Sequence, residues 1–294
     1  MYYLLLLLPP LLFATSNLID KKLTVGEEED SSPASLMLVG GFFNLVIAIP
    51  IFIFLLYKGS FVFSWGLFLN GIIFTIAIWV YLKVLKNEDT DRAIVWYQTI
   101  PIFGLVGSWV FLSESLNIFS IVAIFLVIFG SIIMTTKDGV LRGKLMWLML
   151  LSSLLISVND VAFAYWGREI NISSALFSDL IGKSAWALVF IFSPGAMRGF
   201  TKGLKTKLWL MSITETIFIA GDAIFDVAKL FFPVAIVQAL ASTQPVFVFI
   251  GALILNIFYP KFLMEIFDKK SLKNKIIGLI IVTIGGIILS RYMF

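Results

Sequence analysis

The chain has 294 residues, of which 60% are hydrophobic and 14% are charged, and its formal net charge is +4. A soluble domain of this length could not bury so much apolar surface in one core, so the composition predicts an integral membrane protein. The sequence contains neither Cys nor His, which excludes disulfides, thiol nucleophiles, Cys/His metal sites and imidazole proton relays.

Several other function classes are disfavoured by missing motifs. The sequence has no EF-hand loop, no paired Glu-x-x-His spacing and no Gly-rich phosphate loop, so we expect no metal, no cofactor and no ATP hydrolysis. We therefore predict that the protein is not an enzyme. Its basic residues lie in connectors, a distribution more typical of membrane topology than of nucleic-acid binding.

Ten apolar stretches are each long enough to cross the hydrocarbon core, which takes about 20 helical residues. They cover residues 2–20, 33–57, 64–84, 91–113, 116–136, 143–166, 172–194, 207–231, 233–257 and 274–293. The connectors are short, so no soluble domain is expected. Phe232 and Pro233 alone separate spans eight and nine, where a proline fits a tight turn and the first turn of the next helix. The predicted fold class is an all-α integral membrane protein with ten transmembrane helices.

An internal repeat indicates how these spans are organised. Residues 93–103 and 235–247 share an Ala-Ile-Val opening and a Thr-x-Pro-(Ile/Val)-Phe close, with two extra residues in the second copy. Spans five and ten both carry glycine near the end, at Gly130 and at Gly285-Gly286. Five spans precede the loop at 137–142 and five follow it, so the second half enters the membrane upside down. We predict two inverted five-helix repeats, over residues 1–137 and 142–294.

The distribution of Lys and Arg predicts the orientation. Connectors after odd-numbered spans hold seventeen of these residues, and connectors after even-numbered spans, with the C-terminal tail, hold three. Cytoplasmic loops carry the excess of basic residues, so we expect both termini on the non-cytoplasmic side.

Ionisable side chains at membrane depth are costly and usually face a cavity or a partner. In span eight, Glu215, Asp222, Asp226 and Lys229 follow one another at spacings of seven, four and three residues, which keeps them on one helical stripe. Glu215, Asp222 and Asp226 are therefore candidates for ion coupling. The alternative for Asp226 is a self-contained pair with Lys229 near the membrane surface.

Span seven carries Asp179 and Lys183, separated by four residues, with Lys183 close to the midplane. Two interpretations stay open. The pair can neutralise itself within one helix, or Lys183 can meet Asp222 or an anionic substrate across a cavity.

The repeated Thr-x-Pro motif supplies further candidates. Pro101 and Pro245 each free a backbone carbonyl and predict a kink, which a membrane tolerates only against other helices or a wet cavity. Aromatic rings with nearby amides and hydroxyls suit a small polar organic substrate, although polar residues also hold helices together. The predicted substrate-binding residues are Asn17, Trp79, Trp96, Gln98, Asn159, Lys183, Asp222, Gln238 and Thr243.

Together these features resemble the drug/metabolite transporter superfamily, particularly its EamA-like branch. The likeness rests on residues 12–17 (LFATSN), residues 81–86 (YLKVLK), the Thr-x-Pro-x-Phe repeats and the glycine-bearing fifth and tenth spans. It implies alternating access around a cavity lined by helices one, three, four, six, eight and nine. The candidates on those helices are Asn17, Trp96, Gln98, Asn159, Asp222, Gln238 and Thr243. Ten-helix members commonly keep both termini in the cytoplasm, whereas the charge distribution here predicts the reverse.

We therefore expect a secondary transporter for a small polar organic metabolite in a prokaryotic plasma membrane, with proton coupling through Asp222 or Glu215 as a hypothesis. The alternatives are an uncoupled facilitator or exchanger, and a non-transporting membrane scaffold or lipid-handling protein. A wet cavity lined by Asn17, Asn159 and Asp222 would separate transport from a scaffold. The expected partners are the substrate and the lipid bilayer, with a homodimer left open and no nucleic acid.

Overall fold

The computed structural model describes residues 6–24, 32–86, 95–135, 143–258 and 269–292, and these residues form helices and connectors without a strand. The helices are α1 (Leu8–Thr24), α2 (Pro33–Lys58), α3 (Trp65–Leu85), α4 (Ile100–Leu112), α5 (Ile118–Thr135), α6 (Gly143–Gly167), α7 (Ile172–Leu188), α8 (Pro194–Phe231), α9 (Val234–Ala241), α10 (Gln244–Phe258) and α11 (Lys269–Tyr292). A 3₁₀ turn, Val189–Phe192, extends α7.

The membrane assignment agrees with these elements. In the described part of the chain, nine helical stretches are long and apolar enough to cross a membrane, and Leu8–Ile19 is a shorter apolar helix. The prediction of an all-α multi-pass membrane protein is confirmed. A tenth crossing and the inverted repeat remain predictions.

Capping residues set where many of the helices begin. Ser32, Ser64 and Asn171 each accept a hydrogen bond from the backbone N–H three residues later, at 3.1, 3.3 and 2.9 Å. Such caps satisfy amide groups that have no partner within the helix. At the other end of α2, Gly59 adopts a left-handed φ of 60°, which glycine accepts without steric cost.

The predicted kinks at Pro101 and Pro245 are helix breaks, each just before its proline. The fourth span, Val95–Leu112, is interrupted by a turn at residues 98–99, and α9 and α10 are separated by a turn at 242–243. In both, the hydroxyl of the motif threonine donates to the carbonyl three residues earlier at 2.6 Å, Thr99 to Trp96 and Thr243 to Leu240. The two copies of the motif therefore have the same local structure.

Helix α8 is longer than the sequence predicts. The connector expected before residue 207 is helical from Pro194, because Ser193 caps the helix and a proline fits its first turn. The predicted boundary between spans eight and nine is confirmed, since α8 ends at Phe231 and α9 begins at Val234.

Glycines allow two helix pairs to approach closely. A Cβ atom at Gly182 of α7 would lie 2.0 Å from the carbonyl oxygen of Phe68 in α3, and one at Gly71 would lie 2.2 Å from that of Asp179. Gly130 of α5 and Gly285 of α11 make similar contacts across their own interface. Small residues at such crossings let membrane helices pack backbone to backbone.

Gly182→Ala is expected to destabilise the α3–α7 contact, because the new methyl group overlaps a backbone oxygen that cannot rotate away. Overpacking of this kind costs on the order of 1–3 kcal/mol. Thermal unfolding of the purified protein in detergent measures the loss. Gly195→Ala is the matched control, since a Cβ atom there meets nothing within 4 Å. Equal unfolding temperatures for the two variants would contradict the close contact.

Candidate functional site

The interior of the described bundle holds a cluster of charged side chains on α6, α7 and α8. Lys183 of α7 lies among three carboxylates: its Nζ is 2.6 Å from Asp179 Oδ2, 2.6 Å from Asp222 Oδ2 and 3.4 Å from Asp226 Oδ2. The ring of Phe74 in α3 lies 4.5 Å from the same ammonium group. Lys183 therefore makes the ion pair within α7 and also a direct contact with Asp222 of α8.

A second lysine continues the cluster toward the end of α8. Lys229 Nζ lies 2.6 Å from Asp160 Oδ1 and 2.5 Å from Asp226 Oδ1. The rings of Phe163 and Phe225 lie 5.1 and 4.5 Å from this ammonium group. Asp226 thus bridges the two lysines, and its predicted pairing with Lys229 is present but belongs to a larger network.

We call the six residues Asp160, Asp179, Lys183, Asp222, Asp226 and Lys229 the charged cluster. All six are buried, and Asp222 is the most exposed at 7%. Four carboxyl groups therefore share two ammonium groups away from bulk water. If every group were ionised, the cluster would carry two uncompensated negative charges, which is costly in a buried site.

Amide side chains surround the carboxylates. Gln238 Nε2 donates to Asp160 Oδ2 at 2.7 Å, Asn70 Nδ2 donates to Asp179 Oδ1 at 3.3 Å, and Asn159 Nδ2 donates to the Asn70 carbonyl at 3.0 Å. The amide oxygens of Gln238 and Asn70 are buried and have no donor in the described structure. The site therefore has more acceptors than donors, an arrangement that favours a ligand bearing protons or positive charge.

The break in the ninth span positions Gln238. This residue lies in the last turn and a half of α9, where it packs against Gly104 of α4: a Cβ atom at Gly104 would lie 1.6 Å from Gln238 Oε1. Ser131 of α5 donates to the Ser242 carbonyl at 2.6 Å, which satisfies a backbone group at the break. The helix break at the Thr-x-Pro motif therefore contributes to the site by setting the position of Gln238.

The structure brings together five of the predicted site residues, namely Asn159, Lys183, Asp222, Asp226 and Gln238. The others lie elsewhere. Gln98 and Thr243 are buried near the two helix breaks, Trp79 and Trp96 are half-buried, Asn17 is exposed, and Glu215 is half-buried two turns before Asp222. The ring of Trp79 contacts Phe190, with centroids 5.9 Å apart, and lies beneath Lys83 Nζ at 3.3 Å.

Four further residues belong to this site, although none is among the predicted substrate-binding or coupling residues: Asp160, Asp179 and Lys229 are members of the charged cluster, and Asn70 contacts it. The charge of the three cluster members inside apolar spans is the signal that could have found them. Nothing in the sequence marks Asn70, because its role depends on how α3 packs. Among the described residues, no group of three or more acidic side chains is arranged to hold a metal ion.

Comparisons with known proteins agree with this architecture. Residues 1–136 match the sequence model of the EamA-like transporter family. No curated protein matches the chain. Among 29 matching chains of solved structures, one crystal structure is similar over 99% of this chain and 96% of its own, with a TM-score of 0.69 and 15% sequence identity. At that identity the likeness concerns the fold alone.

Lys183→Met is expected to destabilise the protein, because it leaves the carboxylates of Asp179 and Asp222 without their ammonium partner. Breaking a buried ion pair from one side costs about 3–5 kcal/mol. The double variant Lys183→Met/Asp222→Asn should recover part of this loss, since one of the uncompensated carboxylates is gone. Thermal unfolding in detergent measures both, with exposed Lys205→Met as the control. A Lys183→Met variant as stable as the control would show that these contacts contribute nothing.

Proposed function

Because the chain belongs to the EamA-like transporter family of the drug/metabolite transporter superfamily, we propose that it is a secondary transporter that moves a small polar organic molecule by alternating access. The observation that carries this proposal is the charged cluster at membrane depth. The structure does not bring together Asn17, Asn159 and Asp222, the expected lining of a wet cavity, since Asn17 is exposed elsewhere and the other two are buried. The support for transport is instead that intramembrane charges commonly mark substrate and ion pathways.

We propose that the cluster couples transport to protons. Its four carboxyl groups exceed its two ammonium groups by two, and protons are the simplest cations that can offset this excess in a dry site. Asp222 is the best candidate because it is the most exposed of the four, at 7% against 1–3% for the others. Glu215, seven residues earlier on α8 and half-buried, is the second candidate.

Three of the predicted substrate-binding residues lie toward the Lys/Arg-rich face. Trp79 lies in the last two turns of α3, Trp96 near the start of the fourth span and Asn17 in the second half of α1, all toward that face, and none of the three is buried. The charged cluster lies toward the opposite face and is buried. We propose that Trp79, Trp96 and Asn17 contact the substrate as it enters. Gln98 and Thr243, which lie at the helix breaks, would contact it as well.

Helix packing supports the proposed inverted repeat. In the proposed repeat, each span of the first half corresponds to the span five places later in the chain. Under this correspondence, the contact of α3 with α6 becomes that of α8 with α1. The contact of α4 with α6 likewise becomes that of α10, in the ninth span, with α1. The contacts of α3 with α7 and of α8 with α2 are likewise exchanged. The pairs α2–α7 and α5–α11 map onto themselves. This pattern is expected of two halves related by a two-fold axis in the membrane plane.

A thermal-shift screen against small polar metabolites identifies the substrate class, because a ligand that binds only the native state raises its stability. The gain is about 2.7 kcal/mol at a concentration of 100 times Kd. Trp96→Ala should weaken the shift given by the hit. A library that stabilises neither protein nor variant would favour a scaffold.

Asp222→Asn is expected to abolish accumulation of that hit by a pH gradient in proteoliposomes, because the amide cannot exchange a proton. Exchange of labelled for unlabelled substrate without a gradient should persist, since it needs no net proton movement. Exposed Glu169→Gln removes a carboxylate outside the bundle and should behave as the unchanged protein does. Gradient-driven uptake that survives Asp222→Asn would remove Asp222 from the coupling role.

A further inference from the structure

A second ionic contact lies at the Lys/Arg-poor face, outside the charged cluster. Arg168, just after α6, places Nη2 2.6 Å from Glu114 Oε1, just after α4. The other carboxylate oxygen of Glu114 accepts from the backbone N–H of Val234 at 2.8 Å. Arg168 Nη2 also donates to the carbonyls of Lys229 and Phe232, at 2.9 and 3.3 Å. We call this pair, with its backbone partners, the clasp.

The clasp joins the two halves of the chain. Glu114 follows the fourth span, whereas Arg168 and the backbone groups belong to the sixth, eighth and ninth spans. The Glu114 side chain is 11% exposed and the Arg168 side chain 31% exposed, so the pair lies at the edge of the bundle within reach of water. It therefore ties together the ends of four spans at one membrane face.

Local backbone structure holds Glu114 in this place. Ser113 adopts a left-handed conformation with φ of 55°, which is uncommon outside glycine, and it reverses the chain as α4 ends. The N–H of Glu114 then donates to the Ser108 carbonyl at 3.2 Å. The carboxylate is thus held above the last turn of α4.

The clasp is also connected to the charged cluster through one residue. The backbone carbonyl of Lys229 accepts a hydrogen bond from Arg168, and its ammonium group forms ion pairs with Asp160 and Asp226. A change of charge in the cluster that moves the last turn of α8 therefore moves an acceptor of the clasp.

We propose that the clasp is a gate: the Glu114–Arg168 pair closes the Lys/Arg-poor face in the state described here, and it must break before the cluster can open to that face. This inference rests on the proposed alternating-access function. A purely structural tie would hold the same helices together in every state. A gate is closed in one state and open in the other.

The chain has no native cysteine, so a single introduced thiol reports on this face without background. Ala164 is suited to the purpose because it is fully buried directly beneath the clasp, in a small apolar group with Val161, Val234 and Leu112. The probe is a charged methanethiosulfonate reagent added to the purified Ala164→Cys protein in detergent. Its rate of reaction measures how often the face opens.

Glu114→Gln and Arg168→Gln are each expected to raise that rate by about tenfold or more, the change expected when a charge-assisted hydrogen bond present only in the closed state is lost. The double variant should be no faster than Arg168→Gln alone, because that change already removes the ion pair with Glu114 together with the hydrogen bonds from Arg168 to the backbone. Lys58→Gln removes another basic residue of this face and is the control. Intact folding of each variant is checked by its unfolding temperature.

Unchanged labelling in both single variants, or additive rates in the double variant, would overturn the gate. That outcome is distinguishable from failure of the proposed function. If the gate fails while Asp222→Asn still abolishes gradient-driven uptake, the coupling role of the cluster stands without the clasp. If the clasp controls labelling but Asp222→Asn has no effect on uptake, the gate stands and proton coupling through Asp222 does not.

Discussion

Burying charge within a bilayer is the constraint on which the rest of this structure depends. Lys183 can lie in the middle of an apolar bundle only because Asp179, Asp222 and Asp226 surround its ammonium group. Those contacts require α7 and α8 to face each other at one depth. They also require α3 to approach α7 closely enough for Asn70 to reach Asp179. The glycines of the α3–α7 crossing permit this close approach.

The helix contacts fit the proposed inverted repeat, but the charges are distributed unequally between its two halves. All six members of the charged cluster lie in the second half of the chain, between residues 160 and 229. The first half offers a related sequence without charge: residues 74–77 (FTIA) of α3 correspond in pattern to residues 225–228 (FDVA) of α8. Thr75 thus stands where α8 has Asp226, and it hydrogen-bonds to helix carbonyls. If the two halves are repeats, as we propose, the polar centre belongs to only one of them.

Periodicity and hydropathy were sufficient to predict the all-α membrane fold and the boundary at Pro233, and they left the contact between Lys183 and Asp222 as one of two open interpretations. They could not predict that Lys229 pairs with Asp160 of a different helix, because that depends on the rotation of α6 about its axis. The clasp was missed for a similar reason. Glu114 and Arg168 read as ordinary loop residues, and only the packing of four helix ends brings them together. Asn17, in contrast, is conspicuous in sequence yet exposed and outside the cluster.

The central claim is that the excess carboxyl groups of the cluster hold protons, and infrared difference spectroscopy tests it without knowledge of the substrate. A pH jump on the purified protein should change the C=O stretching band of a protonated carboxylic acid. That change should be lost in Asp222→Asn and kept in Glu169→Gln. A spectrum without a protonated-carboxyl band that responds to pH, or a band unaffected by Asp222→Asn, would contradict the claim. The cluster would then be a network of ion pairs that only holds the helices together.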